Sequence, residues 1–226
     1  SGDCIGIGEV GIMHFNKSEK YKYLSTKSHQ QKEIKIDIGS SNLNRAFKIV
    51  NRHGVPIFLH VEPYHTMKNI DLTGKFIPWY KEICRAYPVA KFILSHNSMM
   101  EPEKLDEVFK YCPNMYSQVK TMTHNEWNYY WKFHDLHIVN DMNYAFHERW
   151  AKFIEKWPDR MMYGSDVKIR FFISGVRKYN ELIENVRIMV GALDPEVQYK
   201  FMYKTAQKVF GLDIVNISQN SEGERF

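Results

Sequence analysis

Three short apolar runs in this chain each end in a side chain that can bind a metal ion or move a proton. The run PIFLH ends at His60, KFILSH ends at His96, and RMMYGSD ends at Asp166. His96 follows His60 by 36 residues, and Asp166 follows His96 by 70. One strand–helix–strand unit takes roughly 30 residues or more. The spacing therefore fits a parallel α/β fold, with one unit between the first two runs and two units before the third.

The phase of these runs predicts that their terminal residues share one edge of a sheet. In a (β/α)₈ barrel the chemistry lies at the C-terminal ends of the strands. We predict strands at about 4–8, 55–60, 91–95, 114–119 and 160–164, joined by amphipathic helices. The predicted fold class is α/β, a (β/α)₈ TIM barrel.

The predicted strands correspond to strands four to eight of such a barrel. We assign residues 1–226 to a single barrel domain that holds these strands and the C-terminal helices. Strands one to three are not represented in the chain. Because a complete barrel of this type takes about 250 residues, we expect the chain to be part of a longer protein.

Composition and charge narrow the possible functions. The chain is 44% hydrophobic and 25% charged, which is typical of a globular domain. Its net charge of +5 is compatible with anionic ligands but lacks the clustered basic face of a nucleic-acid-binding protein. We therefore expect a small-molecule substrate and no nucleic acid; the oligomeric state stays open.

Two further classes of protein are disfavoured. No apolar run approaches the ~18 residues of a membrane span. No signal peptide is visible, so we expect no membrane association and a cytoplasmic location, although a signal upstream of Ser1 would not be seen. The cysteines are Cys4, Cys84 and Cys112, an odd number without CxxC spacing, which predicts neither a disulfide framework nor a zinc ribbon.

The motifs FLHVEP, ILSHNS and YGSD, followed by the segment TAQKVFGL, resemble those of the amidohydrolase superfamily. The nearest branch is the amidohydrolase-related group that includes aminocarboxymuconate-semialdehyde decarboxylase. The opening IGIGEVG resembles the strand-four segment of that group and of the metal-dependent deoxyribonuclease branch. The resemblance runs from about Gly6 to Leu212. One family feature, the His-x-His pair that ends strand one, is absent from this sequence.

The resemblance implies a metal-dependent hydrolase that uses a metal-activated water on a small polar substrate. It makes His60 a metal ligand and gives Asp166 two roles, metal ligand and general base. His96 would be a second ligand or a group that polarises the substrate. Glu9 would be a bridging ligand, as in the deoxyribonuclease-like branch, or a neighbouring carboxylate. Imidazoles with a carboxylate suit Zn²⁺, although other divalent metals are possible.

Three further residues are candidates for substrate binding. Glu62 follows His60 by two residues, where it could also fix the tautomer of a histidine. Trp127 and Tyr130 belong to an aromatic segment between Lys120 and Tyr144. An aromatic segment on the catalytic face can form a pocket wall, or it can be a small satellite core.

Three alternative functions remain at this stage. A decarboxylase of the same fold would use the same metal site on a different bond. A nuclease-like member would bind phosphates through the lysine-rich segment from about His14 to Ile38. A non-catalytic relative would have lost the metal site, and the missing His-x-His pair is the observation that favours it.

Overall fold

The computed structural model describes residues 4–15, 33–65, 69–120, 138–139, 143–165 and 176–212. Its strands are β1 Ile7–His14, β2 Ile34–Lys35, β3 Pro56–Val61, β4 Tyr64–His65, β5 Ile70–Asp71, β6 Lys91–Leu94, β7 Met115–Lys120 and β8 Met161–Gly164. Its helices are α1 Ser41–His53, α2 Thr73–Ala86, α3 Pro102–Tyr111, α4 Glu148–Lys156, α5 Val176–Val190, α6 Pro195–Tyr199 and α7 Thr205–Phe210. A 3₁₀ turn, Ser95–Met99, follows β6, and a π turn, Lys200–Lys204, joins α6 to α7.

A mostly parallel sheet organises the described residues. Its strand order is β2-β1-β3-β6-β7-β8, and only β2 runs antiparallel to its neighbour. Strands β4 and β5 form a separate two-stranded sheet. The predicted α/β class with a parallel sheet is confirmed. Within the described part of the chain, no strand pairing joins the two edges of the large sheet, so the barrel is not closed there.

Local sequence signals explain where the helices begin and end. The hydroxyl of Ser40 accepts a hydrogen bond from the amide of Leu43 and so caps α1. Gly54 ends the same helix with φ 63°, a left-handed conformation that costs glycine little. Asp194 caps α6 through the amide of Glu196, and Pro195 occupies the first turn. The exposed His53 is the last residue of α1.

The two faces of the sheet pack against different helices. Ile57, Leu59, Phe92 and Leu94 belong to the main core, which also contains Phe47 of α1 and apolar residues of α2, α3 and α4. Because strand side chains alternate between faces, the residues between them point the opposite way.

The opposite face carries a smaller cluster. Ile93, Tyr116 and Met162 pack there against Val209 of α7. Phe58 lies on the same face, and its ring stacks on Phe210 with the ring centroids 6.0 Å apart. His60 is two residues beyond Phe58 along β3 and therefore shares this face. Helix α7 thus packs on the same face of the sheet as His60. His60 lies nearer the C-terminal end of β3 than Phe58 does.

The first strand differs from its predicted position. We predicted a strand at about 4–8, whereas β1 runs from Ile7 to His14. The prediction was wrong because Gly8 and Gly11 weaken the strand pattern in the sequence, while pairing with β3 on one side and β2 on the other sustains the extended backbone.

The cysteine prediction was also wrong. Cys84 of α2 and Cys112, directly after α3, form a disulfide with their Cα atoms 5.5 Å apart. The two residues are 28 positions apart in the sequence. Packing of α2 on α3 brings them together, and a sequence spacing does not report such packing.

None of the helices in the described ranges combines the length and the apolar character that a bilayer crossing requires.

A carboxylate between two helices provides a test of the packing. Asp106 of α3 accepts hydrogen bonds from Lys110 at 2.8 Å and from the indole of Trp157 at 2.8 Å, and it pairs with Lys156 at 2.6 Å. Burial raises the pKa of Asp106, but these three partners outweigh it and lower the pKa from 3.8 to about 2. Because the pKa is lower in the folded chain, ionised Asp106 stabilises the fold above about pH 4.

We predict that Asp106→Asn lowers the free energy of unfolding by about 1 kcal/mol at pH 7, since it replaces a charged acceptor of several hydrogen bonds. The stabilisation by Asp106 disappears as pH falls through its folded pKa, so the difference from wild type should shrink between about pH 4 and pH 2. Urea unfolding at several pH values measures it. Asp159→Asn, which removes one exposed pair with Lys200, is the control and should change little. A constant difference down to pH 2 would contradict the assignment.

Candidate metal site

Three predicted site residues converge at the C-terminal edge of the parallel sheet. Nδ1 of His60 is hydrogen-bonded to Oε1 of Glu9. Nε2 of His96 lies 3.5 Å from the same oxygen. The ligand atoms of Glu9, His60 and His96 all lie within 4.8 Å of one another. One carboxylate oxygen thus faces two imidazoles from neighbouring strands.

Irregular pairing between β1 and β3 accompanies the placement of Glu9. Ile7 pairs with Ile57 and Val10 with Leu59, so β1 has one residue more than β3 across this interval. A second irregularity lies between Gly11 and Met13. An extra residue interrupts the alternation of side chains between faces and can redirect one of them. Because Gly11 pairs with His60, alternation along β1 puts Glu9 on the same face as His60, where its carboxylate meets the imidazole.

His96 is held in a left-handed turn. β6 ends at Leu94, and the φ angles of His96, Asn97, Ser98 and Met99 are 53°, 56°, 49° and 49°. For residues with a Cβ this conformation costs roughly 1–2 kcal/mol each. Such strain persists only where surrounding contacts fix it.

Two buried hydrogen bonds hold this turn. Ser98 Oγ lies 2.8 Å from the hydroxyl of Tyr80 on α2. The hydroxyl of Ser117 on β7 donates to Oδ1 of Asn97 at 2.8 Å. The polar residues of the sequence motif that follow His96 are therefore anchored on both sides, and the anchors fix the direction of the imidazole.

A second cluster lies on the other side of His60. Nε2 of His60 is 3.2 Å from Oε1 of Glu62, and Nε2 of His14 is 3.7 Å from the same oxygen. The amide of Phe15 donates to Oε2 of Glu62 at 3.1 Å. Glu62 is fully buried, with a relative exposure of 0%. Its carboxylate is thus held between backbone and imidazoles.

Sequence reasoning missed His14 as a site residue. His14 ends β1, and it is largely buried beside His60 with ring centroids 5.2 Å apart. The signal was present, because GIMH is another apolar run closed by a histidine, like PIFLH. His14 was missed because the first strand was predicted to end at about residue 8, whereas β1 ends at His14.

The electrostatics of the cluster favour a positive charge near His60. Burial lowers the pKa of His60, but hydrogen bonds and charge from Glu62 and Glu9 outweigh it and raise the pKa to about 9. Burial raises the pKa of Glu9, yet its hydrogen bonds to His60 and His96 hold that pKa well below its usual range. Two carboxyl groups, those of Glu9 and Glu62, thus surround one imidazole.

The residues present fit a divalent metal ion. Two imidazole nitrogens and one carboxylate oxygen from Glu9, His60 and His96 form a donor set that suits zinc. Catalytic zinc sites often have three protein ligands. These three residues would hold the ion, and their ligand roles remain predictions.

The other predicted site residues have different positions. Asp166, Trp127 and Tyr130 lie outside the described residues. Glu62 is enclosed by histidines and backbone, and its predicted substrate contact stays a prediction. Gly164 of the GSD motif leaves room for a neighbour, because a Cβ there would overlap the side chain of Gln118 on β7.

The structure and the site define an α/β protein with a candidate metal centre at the C-terminal ends of parallel strands. The chain belongs to the amidohydrolase family: the family model described as "Amidohydrolase" matches residues 20–212. Glu9 and His14 precede the matched range. No curated protein matches the sequence significantly.

Three of the solved structures that are similar to this chain are a dihydroorotase, an uncharacterized TIM-barrel protein and a dihydroxybenzoic acid decarboxylase. A dihydroorotase from Campylobacter jejuni has a TM-score of 0.50 at 13% identity and covers 92% of this chain and 65% of its own. An uncharacterized TIM-barrel protein from Bordetella bronchiseptica has a TM-score of 0.49 at 12% identity, with coverages of 90% and 66%. A dihydroxybenzoic acid decarboxylase from Polaromonas with bound manganese and an inhibitor has a TM-score of 0.42 at 11% identity, with coverages of 81% and 57%.

This chain therefore spans no more than 66% of the length of any of these three proteins. At such identities the likeness to the dihydroorotase concerns the fold alone.

We predict that Tyr80→Phe destabilises the fold by about 1 kcal/mol, because it removes the buried hydrogen bond to Ser98 in the strained turn. Tyr111→Phe is the matched control. Tyr111 is 66% exposed, and its ring, which lies near Lys81, is retained, so the change should stay within about 0.5 kcal/mol. Denaturant unfolding compares the two variants. Equal stability of both would show that the Tyr80 hydroxyl does not support the turn.

Proposed function

We propose that this chain supplies the metal centre of a metal-dependent hydrolase of the amidohydrolase family. The enzyme would bind zinc or another divalent ion and act on a small polar substrate. The observation that carries the proposal is the Glu9 carboxylate oxygen, which faces Nδ1 of His60 and Nε2 of His96. Two neutral imidazoles and one carboxylate offer the lone pairs that a divalent cation requires.

Each side chain has a distinct task in this proposal. A divalent ion at the site would polarise the substrate carbonyl and lower the pKa of a bound water. Glu9 and His60 hold their ligand atoms together through direct contact between β1 and β3. His96 belongs to a turn that hydrogen bonds at Asn97 and Ser98 anchor, which supports a defined position for its Nε2. By the family resemblance, Asp166 accepts the proton of the attacking water.

The position of Glu9 favours hydrolysis over decarboxylation. By the family resemblance, Glu9 would be a bridging ligand as in the metal-dependent deoxyribonuclease branch, which is hydrolytic, whereas in the decarboxylase-like branch it would be a neighbouring carboxylate. Here Glu9 contacts both imidazoles and sits between them. This position is compatible with a metal ligand, which supports the proposed hydrolase over a relative that has lost the site.

We predict that the purified chain binds about one equivalent of Zn²⁺, and that Glu9→Gln and His60→Ala each weaken binding strongly because each removes a ligand. Affinity should be modest, since the His-x-His pair of the family is absent from this sequence. Titration calorimetry with Zn²⁺ and metal analysis after gel filtration measure both. His53→Ala, an exposed residue at the end of α1, is the control and should bind like wild type. Unchanged binding in the Glu9 and His60 variants would refute this ligand set.

We predict that Asp166→Asn reduces turnover by about 10²–10⁴-fold, because an amide cannot take the proton from water. Asp159→Asn, at an exposed ion pair, should retain full activity. The zinc-loaded chain is screened against small amides, lactones and cyclic imides, with aromatic carboxylic acids assayed in parallel for CO₂ release. Hydrolysis supports the proposal, whereas CO₂ release without hydrolysis would assign the site to a decarboxylase. Full activity of the Asp166 variant would exclude Asp166 as the base.

A further inference from the structure

His60 lies between two carboxylates, and each of its ring nitrogens faces one of them. Nδ1 is hydrogen-bonded to Glu9, and Nε2 is 3.2 Å from Oε1 of Glu62. Glu9 belongs to the candidate metal site, whereas Glu62 is fully buried behind the histidine. The two nitrogens of one imidazole therefore have separate environments.

The chemistry of imidazole makes this arrangement asymmetric. A neutral imidazole carries one proton, so one nitrogen donates while the other offers a lone pair. When one nitrogen binds a metal, the other usually donates its proton to a carboxylate or a carbonyl, and that partner decides which nitrogen is the ligand.

We propose that Glu62 is a positioning residue that keeps His60 in the tautomer protonated at Nε2, so that Nδ1 is the metal-binding atom. This inference rests on the proposed metal site at Glu9, His60 and His96. Glu62 itself does not bind the ion.

The orientation of Glu62 is set by the strand that also carries Glu9. The amide of Phe15, directly after β1, donates to Oε2 of Glu62 at 3.1 Å. Oε1 therefore faces Nε2 of His60, and Nε2 of His14 lies 3.7 Å from this Oε1. In the backbone, the amide of Glu62 donates to the carbonyl of Met13 at 3.0 Å. The backbone of Met13 and Phe15 thus holds both the main-chain amide and the carboxylate of Glu62.

The competing explanation for the position of Glu62 is that it binds a second metal ion together with His14 and His60. The ligand atoms of His14, His60 and Glu62 also lie within 4.8 Å of one another. Such an ion would need Nε2 of His60, while the first ion needs Nδ1. Both nitrogens of one ring would then have to be without a proton, which a neutral imidazole does not provide. Hydrogen bonding to Glu62 requires no such ionisation.

The first experiment reads the tautomer directly in the wild-type chain. Long-range ¹H–¹⁵N spectra of ¹⁵N-histidine-labelled protein are recorded with Zn²⁺, and His60→Ala assigns the signals of His60. We expect a zinc-bound Nδ1 and a protonated Nε2. Zinc bound through Nε2, or two zinc ions per chain, would overturn the inference. This measurement does not depend on the folding of a Glu62 variant.

The second experiment changes the carboxylate to an amide. In Glu62→Gln the single side-chain oxygen cannot accept from both the Phe15 amide and Nε2 of His60, and the new NH₂ group faces one of these donors. We expect zinc affinity to fall by about 10–100-fold, as is typical for loss of such a partner, with the stoichiometry unchanged. Asp106→Asn makes the same chemical change away from the site and should bind zinc within about twofold of wild type.

The outcomes separate the two proposals. Equal zinc affinity of wild type and Glu62→Gln overturns the positioning role alone. A wild-type chain that does not bind zinc overturns the proposed metal site and this inference together. If Glu62→Gln, checked by thermal unfolding, is not folded, the tautomer seen in the zinc-loaded wild type decides the question.

Discussion

The parallel pairing of β1, β3 and β6 is the constraint on which the candidate site depends. Parallel strands end at the same edge, so His14, His60 and His96 meet there although 46 and 36 residues separate them along the chain. Burial of alternate residues against the surrounding helices locks the register, because a slip of one residue would turn each strand's apolar set to the wrong face. The strand pairing that stabilises the sheet therefore also sets the geometry of the site.

The site contains features that would be unfavourable if they stood alone. Four consecutive residues from His96 to Met99 are left-handed, and Glu62 is a carboxylate without solvent contact. Hydrogen bonds from Tyr80 and Ser117 fix the turn. The Phe15 amide and the imidazole of His60 offset the burial of Glu62. Such arrangements persist where neighbouring contacts determine them, and they are concentrated at functional sites.

Predictions from the sequence succeeded where the signal is local and failed where it is not. The apolar runs at 56–60, 91–94 and 115–119 have the length and composition of buried strands, and caps such as Gly54 and Asp194 mark helix ends in a few residues. The β1 irregularities and the Cys84–Cys112 bridge depend on which strands and helices become neighbours. No short stretch of sequence contains that information. The predicted ligand roles and the base role of Asp166 remain predictions.

The sequence by itself determined the fold class and the order of the site residues along the chain, because hydrophobic periodicity and spacing predict parallel strands with a histidine at or just after the C-terminal end. Only the tertiary structure decided how those residues face one another. The parallel pairing of β1 with β3 brings Glu9 to Nδ1 of His60, and the Phe15 amide holds Oε2 of buried Glu62 while Oε1 faces Nε2. These are orientations of side chains across strands, and they follow from register and backbone hydrogen bonds that form only when the sheet is assembled.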